Sequence, residues 1–195
     1  MLLRAGHQSI LLVKESATQN PGVKALINRK YGSYINTIPG KIENKLKQLY
    51  RKLRPLEKDD KYSFHNMDEG KKRYSGKELL DAIPFKPDVI LVFLLSNFVN
   101  METIIELSKL TGAKVIWMMT DNAPLTGGCH YQWDCKGFHS DCSNCPAILT
   151  PGAKKIAQQN LAQKMKFIPA DAEILSSSES DYQRAIHSAL FKNKK

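Results

Sequence analysis

Pro87–Met119 reads PDVILVFLLSNFVNMETIIELSKLTGAKVIWMM, and its two apolar ends and mixed middle decide the fold class. Asp88–Leu94 (DVILVFL) and Lys114–Met119 (KVIWMM) are continuous apolar runs. That pattern suits strands buried on both faces of a parallel sheet. Between them, Ile104, Ile105, Leu107 and Leu110 fall on one helical face of Asn100–Leu110. Asn100 is placed to cap this helix and Gly112 to stop it. A strand, a helix and a strand in that order imply an α/β fold with a parallel sheet.

The same alternation continues on both sides. Ser9–Lys14 (SILLVK) reads as an earlier strand, followed by a polar loop through Pro21 and Gly22, and Glu173–Ser176 (EILS) as a weaker last one. Gly76–Ile83, Pro151–Met165 and Ser178–Leu190 read as helices, the last opened by the capping pattern Ser178-x-x-Asp181. Lys58–Ser75 is polar and reads as an irregular connection. The expected architecture is one domain over residues 1–195, a Rossmann-like parallel sheet with flanking helices and a cysteine-rich loop.

With 195 residues, 42% hydrophobic and 25% charged, the chain can bury a core without a disulfide framework, and a wholly disordered chain is excluded. Lys and Arg number 29 against 19 acidic residues, a net charge of +10, which favours an anionic partner. The longest apolar run, Val89–Leu95, is seven residues, against about 20 for a membrane span. No signal-peptide pattern opens the chain, so a cytosolic location is expected, where disulfides are rare.

Pro39–Asp60 has a different character. Ile42, Leu46, Leu49, Tyr50 and Leu53 recur at helical steps, with Lys41, Lys45, Lys47, Arg51, Lys52 and Arg54 between them, and Pro55 stops the run. A basic amphipathic helix of this kind is a surface helix docked by its apolar stripe, or a helix that lies on an anionic membrane surface, or one that contacts nucleic acid.

The most specific text is Asp121–Pro146, DNAPLTGGCHYQWDCKGFHSDCSNCP, directly after a strand. Ligands of open α/β sheets bind beyond the carboxyl ends of strands. All four cysteines, Cys129, Cys135, Cys142 and Cys145, lie here within 17 residues, spaced C-x5-C-x6-C-x2-C. Four thiolates can complete a tetrahedral structural zinc shell, with His130 or His139 as substitute ligands. Disulfides and unligated buried thiols are the other two readings. Gly127 and Gly128 permit positive φ and close backbone approach to a ligand, or simply a turn. No G-x-G-x-x-G, P-loop or G-x-S-x-G motif is present.

This loop resembles the N-terminal domain of group 1, family 4-like glycosyltransferases of the GT-B fold, in the branch of colanic-acid and exopolysaccharide synthesis. The resemblance rests on Trp117 through Ala123, on Thr126-Gly127-Gly128-Cys129-His130-Tyr131, and on Cys135, Cys142 and Cys145-Pro146. Gly6-His7, Lys86-Pro87-Asp88-Val89-Ile90 and Glu173–Ser178 agree with the family's flanking strands, so the similarity runs from about Leu2 to Leu190. Thr120 stands where the family has histidine, and Ala123 where it has tryptophan.

The resemblance implies transfer of a sugar, with retention, from a nucleotide-sugar donor to a glycan or lipid-linked acceptor. Asp121 is then the catalytic candidate, accepting a sugar hydroxyl or acting on the acceptor proton. Thr126, Gly127, Gly128 and His130 line the acceptor side, and Tyr131 and Trp133 are candidates for stacking on a sugar ring. The chemistry needs no metal, so zinc on Cys129, Cys135, Cys142 and Cys145 would be structural. The family's first strand and glycine-rich loop would precede Met1, and its donor domain would follow Lys195. Inactivity of the chain alone is expected: it is a fragment of a longer product, or works with a separately encoded donor domain, or is a degenerate relative. The Lys41–Arg54 helix would suit docking at the inner face of a membrane that carries the acceptor. A different class of reading is a zinc-stabilised basic module for nucleic acid, with one basic face and steep salt dependence.

Overall fold

The computed structural model describes residues 5–26, 38–53, 55–65, 68–93, 95, 98–192 and 194. Met1–Arg4, Arg54 and Leu94 lie outside the described residues, as do the side chains of Lys47, Tyr50, Arg51, Lys52 and Leu53. The chain is α/β and divides into two compact units, Met1–Pro55 with Lys77–Lys86, and Leu56–Gly76 with Pro87–Lys195.

In the first unit, β1 (Leu11–Val13) pairs in parallel with β2 (Val23–Ala25), in the register Leu11↔Val23 to Val13↔Ala25. The sequence pattern places a polar loop through Pro21 and Gly22 and assigns no element to Val23–Ala25. A turn makes the strand: the Asn20 side chain accepts from Gly22 N at 2.8 Å, and Gly22 O accepts from Leu11 N at 2.8 Å. Helix α1 (Ile38–Leu53) forms where the amphipathic pattern places it. Along its apolar stripe, Ile38, Ile42, Leu46 and Leu49 are 52–76% exposed among the described residues. Helix α2 (Gly76–Asp81) is held on its surface by Lys77 and Asp81 at 2.7 Å.

The second unit carries the sheet that the sequence decides. Strands β3 (Val89–Val92), β4 (Lys114–Met118) and β5 (Glu173–Leu175) run parallel in the order β3-β4-β5. Val92 pairs with Trp117, which pairs in turn with Ile174. Helix α3 (Met101–Thr111) links β3 to β4, α4 (Lys155–Phe167) precedes β5, and α5 (Glu179–His187) follows it. Helix α3 touches both β4 and α4.

The ends of these helices are chemically specified. The Asn100 side chain accepts from Thr103 N at 3.1 Å, Gly112 takes the left-handed conformation at φ 75°, and Ser178 accepts from Asp181 N at 3.1 Å. These are helix-capping bonds to groups that a free helix end leaves unsatisfied. Helix α4 starts later than its sequence pattern suggests because Pro151 and Gly152 form a turn, with Gly152 at φ 74°.

Burial on both faces of the strands is corrected for this sheet. Val92, Val115 and Trp117 are buried on one face with Ile104, Leu107 and Leu161. The opposite face carries Val89 and Leu91, which are 50% and 45% exposed, and Leu175, also half exposed. An apolar run marks a residue as compatible with burial, and only the number of covering layers decides whether both faces are used.

Candidate functional site

Strand β4 ends at Met118, and the chain leaves it as Thr120-Asp121. The loop then folds back on itself. Asn122 N donates to His130 O at 3.1 Å, and one oxygen of Asp121 accepts from Ala123 N at 2.8 Å. The other oxygen of Asp121 lies 2.7 Å from His130 Nδ1. The returning arm is clamped by a second backbone segment: His65 N donates to Gly128 O, His130 N to Ser63 O, and Phe64 bridges Cys129 in antiparallel fashion. The His65 ring thereby meets the His130 ring edge-on at 4.6 Å.

This geometry sets the charges. Burial alone would raise the Asp121 carboxyl. The His130 hydrogen bond and the Ala123 N–H outweigh it and hold the group below the ordinary carboxylate range. Asp121 is thus a fixed anion, suited to accepting a hydroxyl hydrogen bond and poorly suited to removing a proton near neutrality. Burial, with help from His130 and Lys58, pushes His65 down, which keeps it neutral. His130 Nε2 is buried without a hydrogen-bond partner among the described residues.

A cavity of about 30 Å³ opens at the carboxyl ends of β3 and β4. Its polar lining is Thr120, Asp121, Trp117, Glu69 and Lys164, against apolar residues that include Val92 and Met101. Trp117 is 2% exposed, and its indole N–H has no partner among the described residues. Glu69 and Lys164 form an ion pair at 3.7 Å, with both side chains 3% exposed. The Lys164 ammonium also donates to Ala123 O at 2.6 Å and Thr126 O at 2.8 Å, so it ties the loop to α4, and burial lowers its pKa. Asn160, one turn earlier, donates to Gly127 O at 3.0 Å and accepts from Glu69 N at 3.2 Å.

The four cysteines are free and surround a second, smaller cavity of about 10 Å³. The Cys129–Cys145 hydrogen bond raises the Cys129 thiol and, helped by the Ala147 and Ile148 N–H groups, lowers Cys145 to about 7. Burial pushes Cys142 up to about 11 despite an N–H from Gly127, and Cys135 Sγ accepts from Gly137 N at 3.4 Å. Among the described residues, no group of three or more His, Cys, Asp or Glu side chains is already arranged to hold a metal ion.

The residues singled out from the sequence are thus divided between two cavities. Asp121 lines the larger one, and Thr126 and Gly127 line the cysteine cavity. The close approaches at the glycines are to the protein itself, Gly127 to the Ala157 backbone and Gly128 to His65 and Phe64. His130 braces Asp121. His139 instead stacks on His187, with ring centroids 6.0 Å apart. Tyr131 and Trp133 are 53% and 62% exposed, with ring centroids 6.2 Å apart.

Sequence reasoning missed Glu69, His65, Asn160 and Lys164. A signal existed for the last two: Ala157, Asn160, Leu161 and Lys164 share one helical face, which is buried. Among the described residues, no helix is long and apolar enough to cross a membrane. Comparisons with known protein families, with curated proteins and with solved structures give no match.

Proposed function

We propose that this chain is the acceptor-side part of a GT-B glycosyltransferase and holds a hydroxyl-rich acceptor at the carboxyl ends of β3 and β4. The observation that carries the reading is the fixed Asp121 carboxylate, which lines one cavity together with Thr120 and the buried Trp117 side chain. A fixed anionic acceptor suits a sugar hydroxyl, which donates to it. At about 30 Å³ the cavity takes a hydroxymethyl-sized group and leaves the sugar ring outside. Tyr131 and Trp133 are exposed aromatic rings on the same loop, of the kind on which a sugar ring stacks.

In this reading Asp121 positions the attacking hydroxyl, and His130 keeps Asp121 ionised and oriented. Thr126, Gly127 and Gly128 shape the loop. The nucleotide-sugar donor belongs to a donor domain outside residues 1–195, so catalysis by this chain alone is not part of the reading. Asp121→Asn should weaken binding of methyl glycosides by about tenfold or more, since a charged hydrogen-bond partner contributes roughly 1.5–3 kcal/mol. Calorimetry over a glycoside panel measures this. Unchanged affinity in Asp121→Asn would sink the assignment. Binding of nucleic acid alone, falling steeply with salt, would replace it with a basic nucleic-acid module.

Helix α1 supports a membrane-bound acceptor, because Ile38, Ile42, Leu46 and Leu49 are exposed beside exposed Lys41 and Lys45. The chain should sediment with anionic vesicles and not with neutral ones, and Leu46→Asp should abolish this. Equal sedimentation of Leu46→Asp would remove the membrane role.

A further inference from the structure

We infer that Cys129, Cys135, Cys142 and Cys145 bind one zinc ion as a tetrathiolate that staples the loop after β4 in place of regular secondary structure. Between Met118 and Lys155 the chain contains only two single-turn 3-10 helices, Ala123–Leu125 and Gly137–His139. Yet Leu125, Phe138, Ala147 and Ile148 are buried there. A long irregular segment inside a compact unit needs a cross-link to offset its conformational entropy, and the described cysteines form no disulfide.

The sulfur atoms meet around a single cavity of about 10 Å³, room for one ion and no organic ligand. Its surroundings are prepared for thiolate sulfur. Gly137 N–H points to Cys135, Gly127 N–H to Cys142, and the N–H groups of Ala147 and Ile148 to Cys145. Such backbone donors are the usual outer-shell partners of metal-bound groups. Cys142 itself takes a left-handed backbone, φ 57°, and lines this cavity with the other three.

The thiols do not yet stand at metal-ligand spacing. Binding therefore draws four sulfurs inward around Zn(II) and releases to solvent the protons the thiols still carry, with no change of oxidation state. The ion is structural, because four protein ligands leave no open position for a substrate. This inference does not rest on the sugar reading, and its test does not involve sugars.

The test uses the full chain, purified reduced and without chelator, and measures metal by elemental analysis and thiols by a colorimetric reagent. The expected result is about one zinc per chain, with thiol reaction slow until a chelator is added. Exchange with Co(II) should give thiolate-to-cobalt charge transfer and the strong visible bands of a tetrahedral site. Cys135→Ser, at the half-exposed cysteine, should reduce zinc content to near zero; if that variant does not fold, the cobalt spectrum of the wild type decides. Four freely reactive thiols with no metal would overturn the inference, and so would a Cys129–Cys145 disulfide in the freshly reduced and desalted protein.

Discussion

Gly127→Ala is expected to destabilise the protein by about 3 kcal/mol or more, at or beyond the upper end of overpacking costs. A Cβ on Gly127 would stand 2.6 Å from the carbonyl carbon of Ala157 and 2.8 Å from its Cα, and closer still to its oxygen. All three atoms are backbone in the first turns of α4, so no rotamer change can make room. The loop cannot retreat either, because Gly127 O accepts from the buried Asn160 side chain at 3.0 Å. Gly112→Ala is the control. Gly112 has φ 75° but nothing within 4 Å of its added Cβ, so only the left-handed backbone penalty of about 1 kcal/mol applies. Urea denaturation of both variants measures the difference. Equal costs would show that the loop does not press on α4.

The second large effect lies at the buried ion pair. Lys164→Met should cost about 3–5 kcal/mol, because it leaves the Glu69 carboxylate buried and uncompensated. It also strips the donor from Ala123 O and Thr126 O. Glu69→Gln should cost less. Burial already depresses the Lys164 pKa, so an unpaired Lys164 can shed its proton and become neutral. The double variant should cost less than the sum of the two, with a coupling of roughly 1–3 kcal/mol. A double-mutant cycle by denaturant titration reads this directly, and strict additivity would contradict the pairing.

The sheet was legible because three apolar runs and one capped helix carry their own periodicity, and Asn100, Gly112 and Ser178 act where their chemistry places them. Strand β2 was hidden because Val23–Ala25 is three residues long and its pairing depends on the Asn20 turn, not on an apolar run. Exposure of Val89 and Leu91 was equally hidden, since side-chain polarity does not report how many layers cover a sheet. Within the site, Asp121, His130 and the four cysteines stood out because they cluster after a strand. Glu69 and His65 come from a polar stretch with no regular element, brought in by the Phe64–Cys129 bridge, a non-local contact. Lys164 looked like a solvated helix charge, and only its tertiary partners Glu69, Ala123 and Thr126 make a buried position tolerable.

The division into two cavities has a functional consequence. The cysteine cavity and the Asp121 cavity share one loop, and Lys164, which lines the Asp121 cavity, bonds to the carbonyl of Thr126, which lines the cysteine cavity. A structural ion at the first would therefore fix the second without entering the chemistry.

The central claim, that the Asp121 cavity receives a sugar hydroxyl, is tested most directly at the Trp117 indole, whose side chain lines that cavity. The chain has two tryptophans, and the Trp133 N–H already donates to Lys61 O at 2.5 Å. Two indole resonances are therefore expected in a 15N-labelled sample, assigned by Trp117→Phe. Titration with a glycoside bearing a free hydroxymethyl group should move the Trp117 signal in the wild type and leave it still in Asp121→Asn. A Trp117 signal that stays fixed at saturating concentrations of every glycoside tried would contradict the account.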